Sequence, residues 1–87
     1  MKDYESALEG YEQALEMKKR VGIEKSEELN FLQNIALVYC KRHKFNEALE
    51  QLQDIKKEKI LLYGGENHPE VAKVVLDIGM LSYNFYF

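Results

Sequence analysis

The sequence predicts an all-α protein, a fragment of an α-solenoid made of four antiparallel helices. In four stretches, apolar residues recur at spacings of three and four, which is the period of an amphipathic helix. The chain also aligns with itself at offsets of 41 and 43 residues. A repeat of this length built from two helices is typical of a solenoid, in which each hairpin is buried against its neighbours.

The first predicted helix spans about residues 3–20 and the second about residues 26–42. Gly22 ends the first, because glycine adopts a left-handed cap conformation without steric cost. Ser26 is the expected N-cap of the second. The apolar faces carry Tyr4, Ala7, Leu8, Tyr11, Ala14 and Leu15 on the first helix, and Leu29, Leu32, Ile35, Ala36 and Tyr39 on the second.

The third and fourth predicted helices span about residues 44–63 and 69–84. Between them, "YGGENHPEVA" is expected to turn a corner rather than to bind a ligand. Gly64 or Gly65 stops one helix, His68 or Asn67 caps the next, and proline fits a first helical turn. The apolar faces carry Phe45, Ala48, Leu49, Leu52, Ile55 and Ile60 on the third helix, and Val71, Ala72, Val75, Ile78 and Gly79 on the fourth.

Composition limits the classes of function. The 87 residues make one small domain, 1–87, and the net charge of −3 argues against nucleic-acid binding, which needs a surplus of basic residues. No apolar run is long enough to span a membrane or to serve as a signal peptide. With Cys40 as the only cysteine, we expect a soluble protein in a reducing compartment. Basic residues that trail each helix, including Lys56, Lys57 and Lys59, are interpreted as solvated helix ends.

The internal repeat pairs small residues with small residues. At an offset of 41, Ala7 aligns with Ala48, and at an offset of 43, Ala36 aligns with Gly79. The larger apolar positions follow the same registers: Tyr4 with Phe45, Leu8 with Leu49, Tyr11 with Leu52, Leu32 with Val75 and Ile35 with Ile78. Small residues therefore recur at equivalent positions of the repeat.

The spacing of six residues resembles that of the tetratricopeptide repeat: Ile35, Ala36, Tyr39, Ala48, Leu52 and Ile55. The resemblance implies that a small residue on one helix, here Ala36, lets a small residue on the next, here Ala48, come close. The period with "NIALVY", "KFNEALEQL" and "GENHPEVAK" is similar to the kinesin-light-chain type of this repeat.

Each repeat of this family is a hairpin of two helices, called A and B. The resemblance implies that the four helices here follow the order B-A-B-A, so the first lacks its A partner and the fourth lacks its B partner. The sequence departs from the family at His43, where the hairpin turn usually has glycine. A non-glycine residue in a left-handed turn costs on the order of 1 kcal/mol.

The resemblance also implies two binding surfaces. Because A helices line the concave face in this family, the predicted groove comprises Asn30, Gln33, Asn34, Leu37, Lys41, Lys73, Leu76, Met80 and Tyr83. The predicted open-end interface comprises Val74, Val75, Ile78, Leu81, Phe85, Tyr86 and Phe87. An exposed apolar patch of this size usually marks an interface. The alternatives are that the chain is an excerpt of a longer array, or that the aromatic tail folds back over its own helix.

The expected function is that of an interaction module, a scaffold or adaptor that docks other proteins in a larger assembly. Catalysis is not expected, because Cys40 and His43 lack an oxyanion donor and an orienting acid, and no cofactor or metal site is expected either. The alternatives are a structural subunit completed by neighbouring chains, as in a cytoskeletal or axonemal complex, and a peptide-clamp co-chaperone. The expected location is the cytoplasm, with the cytoskeleton as one candidate.

Overall fold

The computed structural model describes the backbone of residues 3–86 and the side chains of residues 3–83. The chain forms α1 (Tyr4–Val21), α2 (Lys25–Lys41), α3 (Phe45–Tyr63) and α4 (Pro69–Tyr86). Each helix packs against the next one along the chain, most extensively α2 against α3. The predicted all-α architecture of four helices is confirmed, and residues 3–86 contain no strand.

The first two helices begin in different ways. Asp3 caps α1, since its carboxylate accepts hydrogen bonds from the Ser6 backbone N–H at 3.1 Å and from the Ser6 hydroxyl at 2.7 Å. The predicted Ser26 cap is wrong, because α2 begins at Lys25, one residue earlier, after Glu24, whose side chain makes no cap hydrogen bond. Lys25 in the first turn reaches Glu58 of α3 at 2.6 Å. The start of α2 is therefore tied to α3 by the Lys25–Glu58 ion pair, and the predicted hydrogen bond to a serine hydroxyl cap is not formed.

The core is formed where α2 and α3 nest together. Ala36 of α2 and Ala48 of α3 are both fully buried, as the spacing of small residues predicted. Small side chains let two helix backbones approach closely, and larger neighbours fill the space around them. The buried cluster comprises Leu29, Ala36, Ala48, Leu52, Ile55, Val74 and Leu81. The core thus draws on α2, α3 and α4, while α1 contributes one buried residue, Leu15.

The turn between α2 and α3 passes through His43 in a left-handed conformation, with φ of 63°. This is the conformation for which the family usually uses glycine. The backbone N–H groups of His43 and Lys44 donate to the carbonyls of Cys40 and Tyr39 at 3.0 and 2.9 Å. These two hydrogen bonds close the end of α2 in place of a glycine cap.

The corner between α3 and α4 is formed as predicted. Gly64 adopts a left-handed conformation with φ of 79°, and its N–H donates to the Ile60 carbonyl at 3.0 Å. His68 caps α4, since its Nδ1 accepts the Glu70 backbone N–H at 3.0 Å. The imidazole also stacks on the Tyr63 ring, with centroids 4.1 Å apart. The corner therefore joins the end of α3 to the start of α4 through one histidine.

The described part of the chain is flat, with principal extents of 37 × 32 × 16 Å. The smallest extent corresponds to two layers of helices packed about 10 Å apart. A slab of this shape has a large surface for its size.

Candidate protein-binding surfaces

A buried lysine lies at the centre of the polar contacts between helices. The Lys59 side chain is 1% exposed, and its Nζ donates to Gln33 Oε1 at 3.0 Å and to Asn30 Oδ1 at 3.2 Å. The same Nζ lies 3.3 Å from Glu70 Oε1 at the start of α4. A buried ammonium group is stable only when it is paired and hydrogen-bonded, and here three partners satisfy it.

This network connects three helices. Gln33 of α2 accepts from Lys59 of α3 and donates through Nε2 to Asp77 Oδ2 of α4 at 2.8 Å. Within the described side chains, no buried nitrogen or oxygen atom lacks a hydrogen-bond partner. The network therefore sets the register of α4 against the α2–α3 hairpin.

The interpretation of Lys59 as part of a solvated helix end is wrong. Lys59 lies four residues after Ile55 and seven after Leu52, so it belongs to the buried stripe of α3. Helical spacing was the signal that could have found it, whereas the neighbouring basic residues suggested a charged surface.

A second ion pair occupies the corresponding place in the preceding repeat. Lys18 and Glu27 are the counterparts of Lys59 and Glu70 at offsets of 41 and 43, and their Nζ and Oε2 lie 2.6 Å apart. The Lys18 and Glu27 side chains are 47% and 45% exposed, against 1% and 26% for Lys59 and Glu70. The α1–α2 junction thus repeats the α3–α4 junction, but no described helix covers its lysine.

Glu70 gives the chain an expected acid sensitivity. Its hydrogen bonds from Lys73 and then Lys59 hold the pKa of its carboxyl below the ordinary value of 4.5. Because the pKa is lower in the folded state, the stabilisation is fully present above the unfolded value and is lost as the pH falls through the folded value. We expect the free energy of unfolding to decline below about pH 4.5.

Urea denaturation at a series of pH values from about pH 3 to about pH 7, a range that includes the ordinary pKa of a carboxyl group, measures this effect. Glu70→Gln should reduce the acid-dependent decline, whereas Glu47→Gln is the matched control, since Glu47 is an exposed residue in a first helical turn. Equal declines in the wild-type chain and Glu70→Gln would contradict this assignment.

The structure divides the predicted groove residues into separate sets. Asn30 and Gln33 bind Lys59, and Lys73 pairs with Glu70 at 3.1 Å. A hollow of about 340 Å³ between α1 and α2, here called the α1–α2 hollow, is lined by Asp3, Tyr4, Ala7, Tyr11, Asn34, Leu37, Val38 and Lys41. The sequence prediction included Asn34, Leu37 and Lys41 of this set, but it missed the residues of α1.

The remaining predicted groove residues lie on an exposed apolar surface of α4. This α4 surface is formed by Val75, Leu76, Gly79, Met80 and Tyr83. The four residues with side chains beyond Cβ are 46%, 64%, 59% and 65% exposed, in that order. Val75 was predicted for the open end and the other three for the groove. The structure places them together on one surface.

The open-end prediction needs correction at two positions. Val74 and Leu81 are buried in the core against α3, because they lie on the face of α4 that the α2–α3 hairpin covers. Ile78 is half-buried and packs against the same cluster. The side chains of Phe85 and Tyr86, and all of Phe87, lie outside the described residues.

Two features often found at reactive sites, an activated cysteine and a cluster of metal ligands, are both absent from the described side chains. Burial, and then the nearby Asp77 charge, raise the pKa of the Cys40 thiol. A nucleophilic cysteine requires the opposite shift, toward the thiolate. No group of three or more His, Cys, Asp or Glu residues clusters as a metal site within this part of the chain. None of its helices has the length and apolarity needed to cross a bilayer.

A sequence model of the tetratricopeptide repeat matches residues 1–56, more than half of the chain. The chain belongs to the tetratricopeptide-repeat family. The match covers α1, α2 and the first part of α3, and the repeat assignment of α4 rests on the internal alignment. Comparison with curated proteins and with solved structures gave no match. Tetratricopeptide repeats generally mediate protein–protein interaction and are not catalytic units.

Proposed function

We propose that this tetratricopeptide-repeat chain is a scaffold or adaptor module that binds other proteins through the α4 surface and the α1–α2 hollow. The observation that carries the proposal is the α4 surface, on which four apolar side chains are between 46% and 65% exposed. A continuous apolar patch with a polar surround is characteristic of an interface. Membership of the family supports a role in protein–protein interaction, and the α4 surface is the candidate position for binding a partner.

The chemistry of these surfaces favours an amphipathic helix as the bound segment. On α4, apolar residues at positions 75, 76, 79, 80 and 83 follow the spacing of one helical face. The hollow combines the tyrosines of α1 with the polar ends of Asn34 and Lys41. A partner helix can bury an apolar stripe on such surfaces and place its polar residues at the rim.

A clamp for a peptide carboxylate is less well supported. Lys73, one of the two residues considered for it, already pairs with Glu70. The other residue, Asn34, lies in the hollow beside α1, and Asp77 carries a negative charge on the neighbouring helix face. Coulomb repulsion would weaken the binding of a carboxylate there.

The proposal extends to the kinesin-light-chain type of repeat and to a place within a larger cytoplasmic or cytoskeletal assembly. Its support is the period of 41 to 43 residues and the "GENHPEVAK" corner, in which Gly64, His68 and Pro69 each have a defined part. A structural subunit completed by neighbouring chains remains the second candidate, favoured by the exposure of α4.

Affinity capture from a cytosolic extract of cells that express the chain tests the proposal. The bait is the purified 87-residue chain, and quantitative mass spectrometry compares it with a Leu76→Glu/Met80→Glu variant and with Asn34→Ala/Lys73→Ala. We expect the first variant to lose at least about 90% of the specifically retained partner, equivalent to about 1.4 kcal/mol or more. Gln53→Glu, a change at an exposed site on α3, should retain it.

Unchanged capture by the Leu76→Glu/Met80→Glu variant would overturn the proposal. If that variant loses the partner and Asn34→Ala/Lys73→Ala does not, the result favours the structural subunit. Ile78→Asp would be a poor probe of the interface, because the half-buried Ile78 also supports the core.

A further inference from the structure

We propose that the chain associates with itself head to tail, with the α4 surface of one copy docked on α1 and in the α1–α2 hollow of a second copy. The inference rests on the proposed function, since it uses the same two surfaces, and it names the partner as a second copy. The evidence is that α1 and α4 carry the two halves of an interface that the chain already forms between α3 and α2.

The internal repeat defines these halves. At an offset of 41, α1 aligns with α3, and at an offset of 43, α2 aligns with α4. The matching ion pairs, Lys18 with Glu27 and Lys59 with Glu70, indicate that the alignment holds in three dimensions. Because α2 packs against α3 within the chain, its counterpart α4 has the face required to pack against α1 of another copy.

The small residues show where two helices would cross. Ala36 and Ala48 are fully buried where α2 meets α3, whereas their counterparts Gly79 and Ala7 are both exposed. A Cβ built on Gly79 meets no atom within 4 Å, so the described contacts of this helix do not require glycine there. Glycine within a helix is destabilising relative to alanine, because its backbone loses more conformational freedom on folding. Close approach of a second helix would account for this residue.

The α1–α2 hollow corresponds to a site that is filled elsewhere in the chain. α2 packs against α3 and also contacts α4 through the Gln33–Asp77 hydrogen bond of 2.8 Å. The two helices that contact α2, namely α3 and α4, have α1 and α2 as their counterparts. A helix that contacted α1 and α2 in the same way would lie in the α1–α2 hollow, beside Ala7 and Asn34. The helix equivalent to α2, and therefore suited to this place, is α4.

The apolar residues around the crossing are also matched. Leu32 of α2 and Leu52 of α3 belong to or pack against the core, and their counterparts Val75 and Tyr11 are both accessible. Since one partner surface lies on α4 and the other on α1, the contact is heterologous. A heterologous contact between identical chains leads to open chains or to closed rings.

The charge of Lys73 is a departure from the α2–α3 interface that provides a sharp test. Lys73 is the counterpart of Asn30, and Lys18 is the counterpart of Lys59. Within the chain, Asn30 accepts a hydrogen bond from Lys59 at 3.2 Å. In the docked pair, the equivalent contact would bring Lys73 of one copy close to Lys18 of the other, so two positive charges would meet. Replacing Lys73 by asparagine should therefore tighten self-association by about two- to fivefold, the scale of one exposed charge pair.

Sedimentation equilibrium of the purified 87-residue chain from micromolar to millimolar concentration tests the inference. We expect the average mass to rise with concentration above 10.2 kDa, the mass of one chain. Gly79→Glu and Ala7→Glu should each reduce self-association at least about tenfold, because a buried unpaired carboxylate would be required at the crossing. Gln53→Glu adds the same side chain at an exposed site on α3 and should behave as the wild-type chain does.

Mixing the two defective variants identifies the geometry. Gly79→Glu retains an intact α1 face and Ala7→Glu retains an intact α4 surface, so an equimolar mixture should form a complex of two chains and stop there. Circular dichroism of each variant should match the wild-type spectrum, since both sites are exposed.

A wild-type chain that stays monomeric throughout would overturn the inference, as would a mixture that forms no two-chain complex. If Gly79→Glu abolishes association and Ala7→Glu leaves it intact, α4 pairs with α4 and the head-to-tail arrangement is wrong. A weakening by Lys73→Asn would also contradict it. A monomeric chain that still captures another protein through the α4 surface would leave the proposed function standing, so the two failures are distinguishable.

Discussion

Lys59→Ala is expected to lower the free energy of unfolding by about 3 kcal/mol. The change removes the ammonium group that binds Asn30, Gln33 and Glu70, and it leaves space where a fully buried side chain packed. Glu70 keeps its contact with Lys73, which limits the loss. For a chain of 87 residues the total stability is roughly 4–13 kcal/mol, so this substitution removes a large part of it.

Urea denaturation followed by circular dichroism measures the effect and can separate its two causes. Lys59→Met restores most of the packing volume but no hydrogen bonds, and we expect it to be less destabilising than Lys59→Ala. Lys57→Ala is the matched control on the exposed side of α3 and should change stability by less than about 0.5 kcal/mol. If Lys59→Ala behaves like this control, the buried network does not exist as described.

Leu52→Ala is expected to lower the free energy of unfolding by about 2–5 kcal/mol. Leu52 is 1% exposed in the cluster that joins α2, α3 and α4, so truncation removes apolar contacts and leaves a cavity. The surrounding helices cannot collapse fully into this space, because the other buried side chains of the cluster, including Ala36 and Ala48, are already closely packed. Thermal and urea denaturation both report this loss.

Leu61→Ala provides the comparison on the same helix. Leu61 is 83% exposed, and its truncation should change the free energy of unfolding by no more than about 0.5 kcal/mol. Similar losses at the two positions would mean that α3 does not face the core as described. A normal stability for Leu52→Ala would lead to the same conclusion.

Local signals were sufficient for most of the fold. The spacing of Ala36 and Ala48 predicted their burial, because helical periodicity determines which side chains share a face. Gly64, His68 and Pro69 predicted the corner for a similar reason, since each residue has a preference that acts within a few positions. The Ser26 cap failed, because several residues could begin α2 and the contact of Lys25 with Glu58 was not visible in the sequence.

Local signals were less useful for the candidate binding surfaces. Asn30 and Gln33 looked like groove residues, but Lys59 from another helix uses both. Val74 and Leu81 looked exposed on the assumption that the whole apolar side of α4 lacked a partner, whereas the α2–α3 hairpin covers part of it. The sequence did not indicate the α1 side of the hollow, because Ala7 and Tyr11 lie on the apolar face of α1 and the pattern predicts that this face is buried.

The amino-acid sequence by itself determined the four helices and the corner between α3 and α4, because those features depend on spacing and on short-range backbone preferences. The assignment to tetratricopeptide repeats rests on the match of residues 1–56 to the family. Only the tertiary structure decided which side chains bind the buried Lys59 and that Val75, Leu76, Met80 and Tyr83 form one exposed surface. The physical reason is that burial depends on which helices pack against a given face. That information comes from contacts between residues far apart in the chain, such as Gln33 and Asp77.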